Sequence, residues 1–443
     1  MIKLKCLKED FEGNGIVLYN NEEKKIPFLL EGEIGVFETE KKGKYTNLIL
    51  KGIENESKNR IKSLCPVYGQ CGGCQYMHMS YDHEIEVKNS YIKYLFNKSY
   101  NVRIDNIISM KDPYNYRDKC QMSFKLSKSH KVVCGFYEES SHKIVPISNC
   151  MIQDERASKI IDGINNSLTR NKILPYDEKI RAGIIRHVVI RLAKNTNEIM
   201  VSLVTNGEMF PGRKNFITDL LKQNLGITTI VQNYNSRDTS IVMGERERVL
   251  YGPGFIYDII NGIKFKISSR SFYQVNPIGM KNLYEKIIEE AKITKNDIVI
   301  DAYSGVGTIG ILVAKYAKEV ISVELNKDAS KDAIINAKLN GIKNIKFFND
   351  DSTRFIKELA REPKHIDVLI MDPPREGSTK DFINTVALLK PKKVIYVSCE
   401  PKTLVRDLYD FTKNDYLIKS ISPVDMFPRT FNVETVCCLV KQK

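Results

Sequence analysis

The sequence predicts an α/β protein whose C-terminal part is a doubly wound parallel sheet and whose N-terminal part is rich in strands. From about residue 280, helical and strand patterns alternate, as in "DIVIDAY", "TIGILVAKYA" and "EVISVEL"; such alternation is typical of parallel sheets covered by helices. Residues 1–58 show short alternating strands separated by glycines, which predicts a small β-barrel of about five strands. Because 443 residues exceed one core, two or three domains are expected.

Charge and cysteine content narrow the possible functions. The net charge is +14 and the pI about 9.1, which favours a polyanion such as nucleic acid, although a lysine-rich surface without such a partner explains it equally well. No apolar run approaches the roughly 18 residues of a membrane span, and "MIKLKCLKED" lacks the apolar core of a secretory signal. We expect a cytoplasmic monomer without membrane contact, whose ten cysteines serve metal binding or chemistry rather than disulfides.

A cluster of cysteines follows the predicted barrel. In "LCPVYGQCGGCQYMH", Cys65, Cys71 and Cys74 have C-x5-C-x2-C spacing, which indicates a metal site. Zinc would need a fourth ligand such as His78, whereas an iron–sulfur cluster would need a distant cysteine. The stretch "YDHEIEVKNSYIKYLFNK" has apolar residues near 3.6 spacing and predicts a helix. Residues 111–265 are predicted to be rich in strands, as in "RHVVIRLAK".

The first loop of the predicted parallel sheet has the composition of a nucleotide-cofactor site. "DAYSGVGTIG" follows a strand and opens a helix, and Gly305, Gly307 and Gly310 allow the backbone to approach a ligand. Glu324 ends the next strand, nineteen residues after Gly305, where an acid binds ribose hydroxyls. Taken alone, this pattern fits both a nicotinamide dinucleotide and S-adenosylmethionine.

The end of the fourth strand favours S-adenosylmethionine. "MDPPR" places Asp372 and two prolines at the strand tip, with no helix start directly behind them. Hydride transfer has no evident use for an acid held so rigidly, whereas in a methyltransferase the acid can face the methyl donor and the acceptor base. A role for Asp372 as a helix or turn cap is the alternative.

A cysteine and a glutamate on the following strands predict the reaction. Cys399 ends the fifth strand in "VSCEP", at the edge where ligands bind, and is a core thiol or a nucleophile. A thiolate that adds to carbon 6 of uracil makes carbon 5 nucleophilic, so we expect the site to lower the thiol pKa. A base must then remove the proton on carbon 5. Glu434 interrupts the apolar strand "FNVETVCCLV" and is the candidate base, unless it is an exposed edge-strand acid.

These motifs resemble those of the RNA (uracil-5-)-methyltransferases. "SFYQVNP", "DAYSGVGTIG", "DPPR", "VSCEPKTLVRD" and "NVETV" occur here in the order of that family. The resemblance implies a Rossmann-like, S-adenosylmethionine-dependent domain in which Cys399 is the nucleophile and Glu434 the proton acceptor. Phe272 and Gln274 would face the flipped uracil. The residues expected to contact S-adenosylmethionine are Gln274, Tyr303, Gly305, Gly307, Glu324 and Asp372. The family often has histidine where Asn432 stands, which leaves the surroundings of the base open.

The resemblance extends to the N-terminal half. "EGNGIV" and "LLEGEIG" are similar to a TRAM domain, an RNA-binding β-barrel with an OB-like fold. The family carries a 4Fe–4S cluster on this cysteine pattern, which implies a strand-rich iron–sulfur central domain with Cys65, Cys71, Cys74 and Cys150 as ligands. The predicted domains are the barrel at 1–58, a central RNA-binding domain at 59–76 and 109–264, and the catalytic domain at 77–108 and 265–443.

Other residues of the central domain carry weaker signals. Cys120 and Cys134 lie in alternating segments and are interpreted as core or surface thiols. "YRDKCQ" and "RHVVIR" resemble central-domain motifs, and four basic residues in and beside them are candidate RNA contacts: Arg117, Lys119, Arg186 and Arg191. Phosphate binding and simple surface charge explain each of them equally well.

The catalytic motifs and the N-terminal resemblances together predict an enzyme that methylates carbon 5 of a specific uridine in 23S rRNA. The resemblance implies this substrate because a TRAM-like barrel with an iron–sulfur domain is the architecture of the branch of the family that acts on ribosomal RNA. One alternative is the same reaction on a tRNA T-loop. A cytosine-5 methyltransferase would need a Pro-Cys pair, which does not follow the fourth strand. A non-catalytic RNA-binding or chaperone protein is the last alternative, and Cys399 and Glu434 argue against it.

Overall fold

The N-terminal segment forms one five-stranded antiparallel sheet. The computed structural model describes residues 1–42, 45–139 and 141–442 of the chain. The strands are β1 (Ile2–Glu9), β2 (Asn14–Tyr19), β3 (Glu22–Pro27), β4 (Ile34–Lys42) and β5 (Tyr45–Glu54). Their order is β3-β2-β1-β4-β5. Alternate apolar side chains of this sheet bury a small core, which includes Cys6, Val17, Ile26, Leu29 and Phe37.

This sheet is a curled half-barrel, so the prediction of a small β-barrel of about five strands is confirmed in the number of strands but not in closure. Within the described ranges, the edge strands β3 and β5 form no ladder with each other. Leu30 packs instead against Tyr76 and Met79 of the following segment. Apolar surface that a closed barrel would bury against its own strands is therefore buried against the rest of the chain.

One helix and one short strand from the N-terminal half pack with the C-terminal sheet. Helix α1 (Tyr81–Asn97) begins where the Ser80 side chain accepts a hydrogen bond from the His83 N–H. Its apolar face, which includes Ile92 and Phe96, lies in the same core as the C-terminal sheet. Strand β6 (Arg103–Ile104) pairs in parallel with the strand at 416–424.

The central part is a seven-stranded mixed sheet. Its strands are β7 (Lys119–Leu126), β8 (Val132–Tyr137), β9 (Ile144–Pro146), β10 (Ile185–Leu192), β11 (Ile199–Thr205), β12 (Thr229–Tyr234) and β13 (Arg246–Tyr251), and its helices are α2 (Arg156–Arg170) and α3 (Arg213–Leu221). The order is β13-β12-β11-β10-β7-β8-β9. The helices cover the face to which Cys120, Met122 and Phe124 point, and Cys120 and Cys134 are both buried in this core.

The C-terminal part is an eight-stranded sheet with the predicted alternation of helices and strands. A hairpin of β14 (Phe255–Ile260) and β15 (Ile263–Ser268) precedes it. The helices are α4 (Pro277–Ala291), α5 (Thr308–Ala314), α6 (Lys327–Leu339), α7 (Ser352–Leu359), α8 (Lys380–Leu389) and α9 (Pro401–Lys413). The strands are β16 (Ile298–Ala302), β17 (Glu319–Val323), β18 (Ile345–Phe348), β19 (Val368–Met371), β20 (Lys393–Ser398), β21 (Tyr416–Val424) and β22 (Glu434–Lys441).

The order of this sheet places the ligand crevice. It runs β18-β17-β16-β19-β20-β22-β21-β6, so the chain reverses direction across the sheet between β16 and β19. Ligands of open α/β sheets bind outside the carboxyl ends of the strands at such a switch point. Strand β22 is antiparallel to both of its neighbours, so its first residue reaches the same edge of the sheet. In the described ranges, no helix has the length and apolar character needed to cross a membrane.

A fully buried ionic network joins α1 to the loop between β21 and β22. The Lys88 Nζ lies 2.8 Å from Glu84 Oε1 and 2.8 Å from Asp425 Oδ1. The backbone N–H of Arg429 donates to Glu84 Oε1 at 2.7 Å, and Tyr81 donates its hydroxyl to Asp425 Oδ2 at 2.7 Å. The loop that leads to Glu434 is therefore held by a helix from the opposite end of the sequence.

Candidate active site

The loop after β16 begins with strained backbone. Tyr303 has a φ of 61°, a left-handed conformation that is rare for a bulky residue, and its ring centroid lies 5.3 Å from that of Phe382. Gly305 and Gly307 follow with φ of 56° and 79°, and α5 begins directly after Gly307. A Cβ on Gly307 would lie 3.0 Å from the Cβ of Ala333. Both glycines thus supply the left-handed backbone of the turn, and Gly307 also lets the loop pack closely against Ala333.

The third glycine of the loop has a different purpose, which sequence reasoning missed. The Gly310 N–H donates to Asp301 Oδ2 at 2.8 Å, and a Cβ on Gly310 would lie 2.7 Å from that oxygen. Burial raises the pKa of Asp301 to about 8. The buried acid in "VIDAY" was the available signal, since such an acid needs a hydrogen-bond donor.

Glu324 closes the loop from the neighbouring strand. Its Oε2 accepts a hydrogen bond from the Gly305 N–H at 2.8 Å, and its Oε1 accepts one from the Asn326 N–H at 2.6 Å. Leu325 beside it is 68% exposed, and the Asn349 side chain donates to the Leu325 carbonyl at 2.9 Å. Leu325 was not a candidate from the sequence. Glu324 thus holds the glycine loop through the Gly305 N–H.

Three candidate chemical groups meet at the carboxyl ends of β19, β20 and the start of β22. Asp372 follows β19 and Cys399 follows β20, and these two strands pair in parallel. Ser398 lies opposite Thr435 in the antiparallel pair of β20 and β22, so Cys399 lies next to Glu434. The sheet thus brings an acid, a thiol and a second acid together, with Glu434 only 3% exposed.

The electrostatics of this group differ from the sequence-based expectation. Burial, followed by the negative charges of Glu434 and Asp372, raises the pKa of Cys399 to about 12, while Arg375 opposes the rise. The expectation of a lowered thiol pKa was therefore wrong for the protein without ligands. Burial also raises the pKa of Asp372, and burial with the charge of Asp372 raises that of Glu434. A positively charged ligand at this edge would oppose all three rises.

The candidate uracil contacts line a separate cavity. Phe272 and Gln274 border a cavity of about 520 Å³, to which Phe427 also contributes, and Cys399 is not among its lining residues. Phe272 is 68% exposed, whereas Gln274 is almost fully buried. The segment is tied to the loop before Glu434, because the Asn276 side chain donates to the Met426 carbonyl at 2.8 Å. Phe427 was missed from the sequence, although "DMFP" placed an aromatic residue shortly before the candidate base.

Comparison with known proteins identifies the family. The profile described as tRNA (Uracil-5-)-methyltransferase matches residues 80–442. The chain belongs to this family. An uncharacterized RNA methyltransferase of Halalkalibacterium halodurans is 40% identical over 402 residues, which cover 90% of this chain and 87% of that protein. One from Listeria innocua is 38% identical over 431 residues and covers 97% of this chain and 95% of its own.

A solved structure supports the same assignment. The tRNA (uracil-54, C5)-methyltransferase of Pyrococcus abyssi, in complex with S-adenosyl-L-homocysteine, aligns with a TM-score of 0.78 and 25% identity. The alignment covers 99% of this chain and 100% of that one. The chain is therefore an S-adenosylmethionine-dependent RNA methyltransferase, and the predicted methyltransferase fold is confirmed.

The four candidate cluster cysteines of this methyltransferase line the same cavity as Phe272. Cys65, Cys71, Cys74 and Cys150 all border it, and burial followed by the charges of the other three thiols raises the pKa of Cys74. Across the described ranges, no group of three or more His, Cys, Asp or Glu residues is arranged to hold a metal ion. The iron–sulfur prediction thus has a matching set of thiols but no preformed site.

The alternative zinc ligand lies elsewhere. His78 is buried, and its Nδ1 lies 2.7 Å from the Tyr68 hydroxyl oxygen. It is not among the residues that line the cavity of the four cysteines. Burial lowers the pKa of His78 to about 3, so it is a neutral core residue.

The basic candidates divide into two pairs. Arg117 and Lys119 line the cavity beside Phe272, and burial with the positive charges of Arg191 and Arg117 lowers the pKa of Lys119 to about 8. An anion is the natural partner for such a concentration of positive charge. Arg186 and Arg191 are instead buried, which the sequence did not show.

The two buried arginines bind backbone. The Nη2 of Arg191 donates to the Ser271 carbonyl at 2.5 Å, directly before Phe272. The Nη1 of Arg186 donates to the carbonyls of Asn235 and Arg237 at 3.1 and 2.8 Å. Both guanidinium groups are buried and each binds backbone through one nitrogen, so the structure gives them a role in holding the chain rather than in direct phosphate contact.

Proposed function

We propose that this methyltransferase transfers a methyl group from S-adenosylmethionine to carbon 5 of a specific uridine in 23S rRNA, through a covalent adduct on Cys399. The observation that carries the proposal is the meeting of Cys399, Asp372 and Glu434 at the edge of the sheet beside the glycine loop. A thiol next to a buried carboxylate suits a reaction that adds a nucleophile and later removes a proton.

The proposed reaction passes through a covalent adduct between the Cys399 sulfur and the uracil ring. The partly buried Cys399 thiol gives up its proton to solvent water, and the thiolate sulfur bonds to carbon 6 of uracil, which moves an electron pair toward carbon 5 and the ring carbonyl. Carbon 5 then bonds to the methyl carbon while the bond from that carbon to the sulfonium sulfur of S-adenosylmethionine breaks, and the electron pair of the broken bond stays on the sulfur, which leaves as the thioether S-adenosylhomocysteine. The Glu434 carboxylate takes the proton from carbon 5, the double bond between carbons 5 and 6 reforms, and the sulfur–carbon bond breaks to restore the thiolate.

The raised pKa of the Cys399 thiol gives the methyl donor a second role. S-adenosylmethionine supplies an electrophilic methyl group and a positive charge when bound. Because burial, and after it the charges of Glu434 and Asp372, raise the pKa of the Cys399 thiol, a cation beside Asp372 would favour the thiolate. The residues proposed to bind the donor are Gln274, Tyr303, Gly305, Gly307, Glu324 and Asp372, and those proposed to face the uracil are Phe272 and Gln274.

The proposed substrate is 23S rRNA, because an N-terminal strand-rich module together with four cysteines around one cavity is the architecture implied for the ribosomal branch. A tRNA T-loop is the second candidate, favoured by the likeness over nearly the whole chain to a tRNA (uracil-54, C5)-methyltransferase. Methylation of each RNA transcribed separately in vitro distinguishes the two.

We further propose that Cys65, Cys71, Cys74 and Cys150 hold a 4Fe–4S cluster. Thiols of the right number and kind line one cavity, and such a cluster is held by four thiolates. Iron, sulfide and visible absorption of protein purified without oxygen test this, with the Cys150→Ser variant expected to lose most of the iron. The proposed division into 1–58, 59–76 with 109–264, and 77–108 with 265–443 is tested by limited proteolysis.

RNA containing 5-fluorouridine tests the reaction. Fluorine on carbon 5 cannot leave as a proton, so the adduct persists and migrates as a protein–RNA conjugate under denaturing conditions. Cys399→Ala should abolish the conjugate, whereas Cys438→Ala, which removes another buried thiol of the same sheet, should retain it. Glu434→Gln should form adduct on ordinary RNA and release product slowly. A conjugate that survives Cys399→Ala would overturn the assignment of the nucleophile.

A further inference from the structure

A second cavity lies on the central sheet, and none of the four cysteines lines it. We call it the distal pocket. It measures about 420 Å³, and its walls come from β7, β8, β9, β10 and the segment 174–183. Its volume is within the roughly 300–1,000 Å³ of small-ligand sites. None of the candidate catalytic, cofactor or cysteine residues lines it, so the proposed methyl transfer does not account for it.

The polar groups of the distal pocket suit an uncharged ligand. The Ser123 hydroxyl oxygen lies 2.9 Å from His187 Nδ1, and within the described ranges His187 Nε2 has no hydrogen-bond partner. Burial lowers the pKa of His187 to about 4, so the ring is neutral and offers one free nitrogen to a ligand. Three cations lie in the walls. Lys125 donates to the Ile144 carbonyl and Arg186 to carbonyls of the segment after β12, whereas Lys179 is exposed next to Asp177 and Glu178 in the lining.

Aromatic rings supply the apolar part of the distal pocket. The Arg186 guanidinium lies 4.8 Å from the ring centroid of Tyr176, which holds that ring in the wall. Tyr137 is 40% exposed, and its ring centroid lies 6.0 Å from that of His142. Exposed aromatic rings beside neutral hydrogen-bonding groups match a flat, polar heterocycle, because bases stack on such rings and pair through their edges.

One strand connects the distal pocket with the proposed uracil site. Alternate residues of a strand point to the same face. On β7, Lys119 and Gln121 line the cavity of Phe272, and Ser123 and Lys125 line the distal pocket. The six residue steps from Lys119 to Lys125 along the strand span about 20 Å. A polar track therefore runs from one cavity to the other on the face opposite to α2 and α3.

We propose that the distal pocket binds an unpaired nucleobase of the same RNA strand that presents the uridine to Cys399. The inference rests on the proposed function, because the strand is placed by the uridine at the other end of the track. A small anion is a poorer match, since two of the three cations in the walls bind backbone carbonyls and the carboxylates of Asp177 and Glu178 flank the third, Lys179, in the lining. The neutral donor and acceptor groups of Ser123 and His187 instead match the edge of a base.

Hydrogen exchange on the trapped complex tests the inference. The wild-type protein is coupled to RNA containing 5-fluorouridine, with 23S rRNA and tRNA fragments tried separately, and its amide exchange is compared with that of the free protein. The proposal expects at least fivefold slower exchange in residues 174–187 as well as at 119–121. Slowing at 119–121 without any change in 174–187 would overturn it. Failure to form the adduct refutes the proposed reaction instead.

A variant that fills the distal pocket provides a test that needs no adduct. Leu174 lines the pocket and is 53% exposed, so Leu174→Trp can project into it without disturbing the core. It should weaken equilibrium binding of the same RNA fragments at least fivefold and raise the KM for RNA while kcat stays within twofold. Leu388→Trp, at a residue 69% exposed on the C-terminal part, is the matched control. Equal RNA affinity of both variants and the wild type would refute the proposal that the distal pocket binds the RNA.

Discussion

Replacing Lys88 with methionine should destabilise the docking of α1 more than any surface substitution. Methionine keeps the length of the side chain but leaves the Glu84 and Asp425 carboxylates, each 2.8 Å from the lost Nζ, without their shared cation. All three side chains are at most 1% exposed. Removing one partner of a buried ion pair costs about 3–5 kcal/mol. This corresponds to a rise of about two to three and a half powers of ten in the equilibrium constant for opening of α1, and to an equal fall in its protection from exchange.

The assay is amide hydrogen exchange of α1 under conditions in which opening is at equilibrium. Lys281→Met is the control, because its Nζ lies 3.9 Å from Glu285 and its side chain is 60% exposed; such pairs contribute about 0–1 kcal/mol. The double variant Glu84→Gln with Lys88→Met removes one uncompensated charge and should recover part of the loss. A change in α1 protection below tenfold in Lys88→Met would refute the reasoning.

Three other substitutions test the proposed cofactor crevice and the proposed catalytic pair. Gly310→Ala adds a Cβ 2.7 Å from the Asp301 Oδ2 and should weaken S-adenosylmethionine binding at least tenfold, as measured by calorimetry. The control is Gly52→Ala, whose Cβ meets nothing within 4 Å, and it should leave this binding unchanged. Glu324→Gln removes charge-assisted hydrogen bonds, each about 1.5–3 kcal/mol, and should raise the KM for S-adenosylmethionine about tenfold or more; a fall in kcat at constant KM would contradict this. Because the Glu434 carboxylate raises the pKa of Cys399, Glu434→Gln should lower that pKa, so iodoacetamide should alkylate the thiol faster at pH 8–9. Slower or unchanged alkylation would contradict the electrostatic account.

Local pattern predicted the parts of the molecule that local forces determine. The glycine loop, Glu324 and the strand tips at Asp372 and Cys399 follow from the βαβ rhythm, because strand ends of a parallel sheet meet at one edge. The antiparallel pair β21–β22 follows from two apolar strands close in sequence. In these cases the contacts that define the structure lie within a few residues or in adjacent strands.

The errors arose where distant segments meet. "YDHEIEVKNSYIKYLFNK" shows a helix, but not that Lys88 and Glu84 are buried, because their partner Asp425 is 337 residues away from Lys88. The Cys399 pKa depends on two carboxylates brought to it by other strands. Arg186 looked like a surface cation, since nothing in its own strand reveals that carbonyls after β12 bind it.

The position of α1 in the chain has a consequence for synthesis on the ribosome. Domains generally fold as they emerge, N-terminal part first. Here α1 presents Glu84 and Lys88 to a loop that is translated more than three hundred residues later, and closing so long a loop carries an entropic cost that only the finished sheet offsets. Helix α1 therefore cannot complete its packing until almost the whole protein has been made, and its apolar face stays uncovered until then. We expect nascent chains arrested before Asp425 to remain open to proteases at α1, and completed chains to become resistant.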